Sequence, residues 1–221
     1  MAGYVQDDLS TEEIDRQAAL FGPLAQSVRE LSEAVIRTEV DEDEVIAARA
    51  EIDAITERLR KQQIEGSYGL RFSKGGRARP WGNAVVGLRN PIAPPLDMQR
   101  DPAGRAWADF SLGAAYEGPP GLVHGGVAAL ILDQVLGEAA GAGGKPGMTG
   151  TLTLRYRRAT PLGDLHCEAQ IDRVEGFKTY AVGHIADAEG VTVEAEGVFI
   201  LPKWARQHVR ERDWKAPERF E

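Results

Sequence analysis

The chain has 221 residues, 43% of them hydrophobic and 27% charged, with a net charge of −8 and a single cysteine. That length suffices for one domain with an appendage or for two small domains. The longest uninterrupted apolar run is six residues, Val127–Leu132, far below the roughly 20 needed to span a bilayer. The lone Cys167 excludes an internal disulfide, and no Cys/His cluster has zinc-ligand spacing, so neither a metal nor a redox group is expected. The acidic start of the chain (Asp7, Asp8, Glu12, Glu13) lacks the basic and apolar regions of a secretory leader, and a reducing cytoplasm is the expected compartment.

Charge divides the chain unevenly. Residues 1–65 hold 16 acidic against 7 basic residues, whereas residues 66–221 hold 18 against 19. The acidic excess therefore belongs to the N-terminal piece, which disfavours nucleic acid as a partner. Within 1–65, Ser10 followed by Glu13 fits a capping box, and Ile14, Phe21, Val28 and Val35 recur every seven residues with Leu24 and Leu31 between them. Gly22-Pro23 is expected to break or kink this helix. A second helix is expected from Asp41, with a stripe of Val45, Ala48, Ile52, Ile55 and Leu59, so the extension reads as a helical hairpin. It either packs on its own domain or a partner subunit, or serves as a protein-docking module.

Residues 66–203 read as the main domain. Gly and Pro are frequent from Gly66 to Pro102, around one short strand expected near Ala84–Leu88. Residues 105–114 read as a strand, and Glu117-Gly-Pro-Pro-Gly121 turns the chain into GLVHGGVAALILDQVLG (121–137). Asp133 is the only formally charged residue in that segment, which is otherwise hydrophobic on all sides and predicts a helix wrapped by other structure. A carboxylate there is costly unless it is bonded or has a task. His124-Gly125-Gly126 opens the helix, where free backbone N–H groups and the positive dipole end can hold an anion. After a loop at 141–147, four strand-like runs (148–158, 164–174, 178–188 and 191–201) are separated by short turns containing Gly163, Gly176 and Gly190, predicting an antiparallel meander. The charged tail 204–221 is expected to be helical. One buried helix followed by about five or six antiparallel strands is an α+β layout in which the sheet wraps the helix.

The order of HGG, apolar helix with an acid nine residues after the histidine, small-residue loop and hairpin-linked strands resembles the hotdog fold. More narrowly it is similar to PaaI-like acyl-CoA thioesterases, over about residues 83–201. The resemblance implies hydrolysis of an acyl thioester with Asp133 as general base or nucleophile. It implies Gly125 or Gly126 as the oxyanion N–H, His124 as the residue orienting the turn and polarising the carbonyl, and Thr149 as a hydroxyl positioning the water or the acid. It also implies a homodimer with sites shared between subunits, often assembled into a homotetramer. Coenzyme A would enter only as part of the substrate, and Arg155, Arg157 and Arg158 are candidates for its phosphates or else a solvated strand end. Many members carry Asn six residues before the histidine, where this chain has Gly118. The competing expectation is a non-catalytic hotdog domain that binds acyl thioesters or apolar ligands as a sensor or dimerising platform. Hydration of an enoyl thioester fits the HGG layout poorly.

Overall fold

The computed structural model describes residues 4–203, 205 and 206. The expected tail helix therefore falls outside the described residues almost entirely. A central six-stranded antiparallel sheet has the order β4-β5-β7-β8-β9-β6, built from β4 (Gln99–Asp101), β5 (Arg105–Leu112), β6 (Met148–Tyr156), β7 (Gly163–Glu175), β8 (Lys178–Asp187) and β9 (Gly190–Ile200). Across it lies α3 (Gly125–Ala142). The sheet's inner face is lined beneath the helix by small side chains, namely Ala106, Ala108, Cys167, Ala169, Ala181 and Ala195, all buried. Small residues there let the helix approach closely, and Ile131, Leu132, Val135 and Leu136 fill the space from the helix side. Burial pushes the Cys167 thiol up to about 12, so it is a core side chain rather than a nucleophile. The result is the expected α+β hotdog architecture.

The meander is only partly as expected. β7, β8 and β9 follow one another, with Glu175 opposite Lys178 across a two-residue turn. Gly176 (φ 59°) takes the positive φ at the first turn position that makes such a hairpin twist correctly. β6, however, does not pair with β7. It crosses to the far side and pairs with β9, so that it forms one edge of the sheet. The intervening segment is held by Thr160–Leu162, which bonds back to the approach to α3: Val123 N–H donates to Thr160 O and Leu162 N–H to Gly121 O. Those bonds fasten the β6–β7 connection to the start of the helix, away from a tight turn.

The strand expected near Ala84–Leu88 is absent; the segment is a run of turns. The Asn83 carboxamide oxygen accepts from Val85 and Val86 N–H, capturing the donors a strand would have used. The strands of this region are instead β2 (Leu70–Phe72) and β3 (Ala78–Arg79), which with β1 (Tyr4–Gln6) make a separate three-stranded sheet in the order β1-β2-β3. β1 runs parallel to β2, so the N-terminal residues are stitched onto the main domain.

The helical extension has its expected caps. Ser10 Oγ accepts from Glu13 N–H and Asp41 Oδ1 from Glu44 N–H. The capping box is not reciprocal, because the Glu13 carboxylate pairs with Arg16 instead. Helix α1 (Thr11–Arg37) runs through Pro23 without ending there. Tertiary contacts on both sides of the proline hold it: Ile14 and Ala25 are buried, and Arg29 Nε donates to Ala93 O. Helix α2 (Glu42–Arg60) has no buried residue at all. No described helix is long and apolar enough to cross a membrane.

Candidate active site

The approach to α3 is fixed by backbone bonds before the helix begins. The 3-10 turn Ala114–Tyr116 presents the Tyr116 carbonyl, which accepts from His124 N–H at 2.9 Å, and Gly118 N–H donates to Leu122 O at 2.9 Å. Tyr116 itself is buried with its hydroxyl on Ala93 O, and desolvation raises its pKa. This tight return explains why Asn is replaced at Gly118. A Cβ at that position would lie 2.7 Å from His124 Cα, a backbone atom that cannot move aside cheaply. No side chain of any kind fits there while His124 stays where it is.

His124 is the N-cap of α3. Its Nδ1 accepts from Gly126 N–H at 3.0 Å, and its own carbonyl accepts from Val127 and Ala128 N–H. Gly126 N–H is thus already spent on the imidazole. Gly125 N–H has no partner among the described residues, and it sits at the positive end of an 18-residue helix. Of the two glycines, Gly125 is the one with a donor to offer an anion.

Asp133 lies two turns further along α3. The helix is not uniformly buried: Ala128, Ile131, Leu132, Val135, Leu136, Ala139 and Ala140 face the core, whereas Gly126, Ala129, Asp133, Gln134 and Gly137 are half-buried or exposed. In the single chain Asp133 is therefore half-buried on an open, small-residue face, not enclosed in a dry interior as the all-apolar sequence suggests. Thr149, at the start of β6, donates its hydroxyl to Asp133 Oδ1 at 2.8 Å. The register irregularity between Thr149 and Thr151 lies at this point of the strand. Gly147 just before it is required, since a Cβ would stand 2.7 Å from Ile200 N. Among the described residues, Oδ2 of Asp133 is left without a hydrogen bond.

The structure joins the expected site residues in two groups. His124, Gly125 and Gly126 form one, Asp133 and Thr149 the other. The two are eight residues apart on one helix, hence about 12 Å along its axis. Tyr156, at the end of β6 and outside the expected site, joins the first group: its hydroxyl donates to Gly125 O at 2.9 Å. The three arginines at the end of β6 and just after it differ in how firmly they are held. Arg157 bonds Glu194 at 2.6 and 2.9 Å, keeping that carboxyl below its ordinary range. Arg158 bonds Asp187 and Gly190 O, and the guanidinium lowers the Asp187 pKa to about 2. Arg155 only approaches Glu196, at 3.9 Å, and is 61% exposed.

Comparison with known proteins gives a consistent picture. A family model described as the thioesterase superfamily matches residues 120–194, from just before the HGG turn into β9. The crystal structure of a thioesterase superfamily protein superposes with a TM-score of 0.73 at 31% identity, covering 89% of this chain and 98% of that one. Acyl-coenzyme A thioesterase THEM5 of Homo sapiens is 31% identical over 94 residues, and acyl-coenzyme A thioesterase THEM4 of Bos taurus 33% identical over 94 residues. Each of those alignments covers 41% of this chain and 38% of the relative, so the chain spans under two-fifths of the length of the curated relatives it matches.

Proposed function

The chain belongs to the thioesterase superfamily, and from that footing we propose that it hydrolyses an acyl-CoA or a related acyl thioester to the free acid and the thiol. The observation that carries this reading is the pairing on one helix of an unclaimed Gly125 N–H with a carboxylate whose Oδ1 is held by Thr149. Thioester hydrolysis needs both: a donor for the oxygen that becomes anionic, and a base or nucleophile beside the carbon. Gly125 N–H, at the helix start, binds the carbonyl oxygen as it gains charge. In the general-base route Asp133 Oδ2 takes a proton from water as its oxygen attacks the carbon; the C–S bond then breaks and the thiolate is protonated. In the covalent route Oδ2 itself attacks the carbon, the C–S bond breaks and the thiolate leaves to be protonated, and water then hydrolyses the resulting anhydride to the free acid and the Asp133 carboxylate.

About 12 Å of helix separates Gly125 from Asp133, whereas both must reach one thioester group at about 3 Å. One chain cannot do this, so the reading includes a homodimer in which Asp133 of one copy faces the HGG turn of the other. Two features support it. The α3 face bearing Asp133 carries the small residues Gly126 and Ala129, neither of them buried, and β6 is an edge strand with most of its residues exposed. For the coenzyme A phosphates, Arg155 is the candidate of the three arginines with its charge least committed.

Asp133→Asn tests the proposal. The variant keeps the shape of the side chain and removes its basicity; kcat on a panel of short, medium, long and aryl acyl-CoAs should fall by about 10²–10⁴ with KM little changed. Full activity in the variant would sink the assigned chemistry. Binding without turnover by the wild type would favour a sensor domain.

A further inference from the structure

Tyr156 stands at the end of edge strand β6, 57% exposed, and contributes little to the core. Its hydroxyl nevertheless donates to Gly125 O at 2.9 Å. That carbonyl and Gly126 N–H are the two ends of one peptide unit, and Gly126 N–H donates to His124 Nδ1 at 3.0 Å. A continuous line of hydrogen bonds therefore runs from the phenol through the Gly125–Gly126 peptide to the imidazole. Donation to the carbonyl polarises the peptide and strengthens its N–H as a donor. Because Nδ1 accepts, the neutral imidazole carries its proton on Nε2.

We propose that Tyr156 is a positioning residue: it braces the Gly125–Gly126 peptide, and through it the tautomer of His124 and the Gly125 backbone, whose free N–H lies on the preceding peptide, itself held at its carbonyl by Val127 and Ala128. The inference rests on the thioesterase reading for its catalytic consequence, but its structural part does not. Two adjacent glycines have the widest backbone freedom of any pair, and an oxyanion donor is useful only when its direction is fixed beforehand. At Gly125 that freedom is bounded from outside by the phenol. A Cβ there would meet Tyr156 Oη at 3.3 Å and the ring carbons Cε1 and Cζ at 3.4 and 3.5 Å, so the ring lies directly against Gly125 as it bonds the carbonyl.

The test compares the full-length wild type with Tyr156→Phe and Tyr156→Leu, using acyl-CoA kinetics, thermal melting and nitrogen-15 spectra of the His124 ring. In Tyr156→Phe the ring and its packing remain while the hydroxyl is lost. The expected result is a kcat lower by about tenfold, KM within about twofold, and an unchanged melting temperature. The wild-type spectrum should report the Nε2–H tautomer and the Phe variant a mixture of tautomers. An unchanged kcat and spectrum in Tyr156→Phe, with loss confined to Tyr156→Leu, would reduce Tyr156 to packing and overturn the proposal. If the wild type cleaves no thioester, the functional reading fails on its own, and the tautomer spectra still decide: mixing in Tyr156→Phe upholds the brace, and an unaltered Nε2–H signature refutes it.

Discussion

Gly118→Asn would give the chain the residue that many PaaI-like proteins carry at this place, and the structure predicts that it harms the protein. The new Cβ would lie 2.7 Å from His124 Cα, 3.1 Å from its Cβ and 3.2 Å from its N, where ordinary contacts begin at 3.4 Å. The backbone must therefore open by about 0.7 Å or more, against the Gly118–Leu122 and His124–Tyr116 hydrogen bonds. Overpacking of this kind costs about 1–3 kcal/mol, which in a chain of this size lowers the melting temperature by roughly 3–10 °C. Displacement of the His124 cap also misdirects the Gly125 N–H, and errors approaching 1 Å cost up to about 10²-fold in rate. Gly121→Ala is the control. Its φ of 73° makes alanine unfavourable by about 1 kcal/mol, yet no atom lies within 4 Å of the new methyl, so it should lose some stability and keep its kcat. Melting curves and acyl-CoA kinetics on both variants decide the matter. A Gly118→Asn protein as stable and as active as the wild type would refute the steric account.

Thr149→Val removes the hydroxyl on Asp133 and should lower kcat by about tenfold, as expected for one hydrogen bond to a partly solvated carboxylate, while Thr149→Ser retains most activity. Arg158→Ala frees Asp187. The carboxyl, held at about 2 against an ordinary 3.8, contributes stability that is complete above about pH 4 and vanishes as pH falls through 2. In the variant that contribution is missing above pH 4 as well, so the stability gap between wild type and variant should be full above about pH 4 and close as pH falls toward 2, which urea unfolding followed by circular dichroism at a series of pH values would show. Ile14→Ala on α1 should cost about 2–5 kcal/mol in urea unfolding, because Ile14 is fully buried, whereas Ile46→Ala on α2, 59% exposed, should stay within about 0.5 kcal/mol.

The helix and hairpins were legible because their signals are local. The apolar run with its HGG start gave α3, and Gly176 and Gly190 gave the turns that close β7–β8 and β8–β9. Strand order is not a local property. Nothing in the strand-like run 148–158 says that β6 pairs with β9 instead of β7; that follows from bonds between Thr160–Leu162 and the approach to α3, nearly 40 residues earlier. Of the break or kink expected at Pro23 the break does not occur, and the strand at Ala84–Leu88 is absent, for related reasons. In the first, packing around Ile14 and Ala25 outweighs one missing backbone bond; in the second, the Asn83 side chain captures two amides. Asp133 stood out as the lone charge of an apolar helix, Thr149 was implied only by the resemblance to PaaI-like thioesterases, and the two meet at 2.8 Å. Tyr156 was missed because it is in phase along β6 with Leu152 and Leu154, which pack against the core, and its bond to Gly125 O is a contact between residues 31 apart in the chain.

The distribution of exposure ties assembly to chemistry. A helix wrapped by a sheet can bury about half its surface on that sheet, and α3 does so with its large aliphatic side chains. The opposite face carries Gly126, Ala129 and Asp133, with exposed β6 alongside. A face meant only for water would carry long polar side chains throughout, like Gln134 and Glu138 further along, whereas Gly126 and Ala129 leave the surface low beside Asp133. Small residues instead permit close approach of another surface. The proposed second copy satisfies both demands at once. It brings an HGG turn to within reach of Asp133, and it withdraws that carboxylate from bulk water, where its hydrogen bond to Thr149 and its attraction for a polarised thioester gain strength. A site assembled this way is active only in the dimer. Dilution below the dissociation constant should therefore abolish turnover before it unfolds the chain, and specific activity that held constant through dissociation into monomers would separate the two halves of the argument.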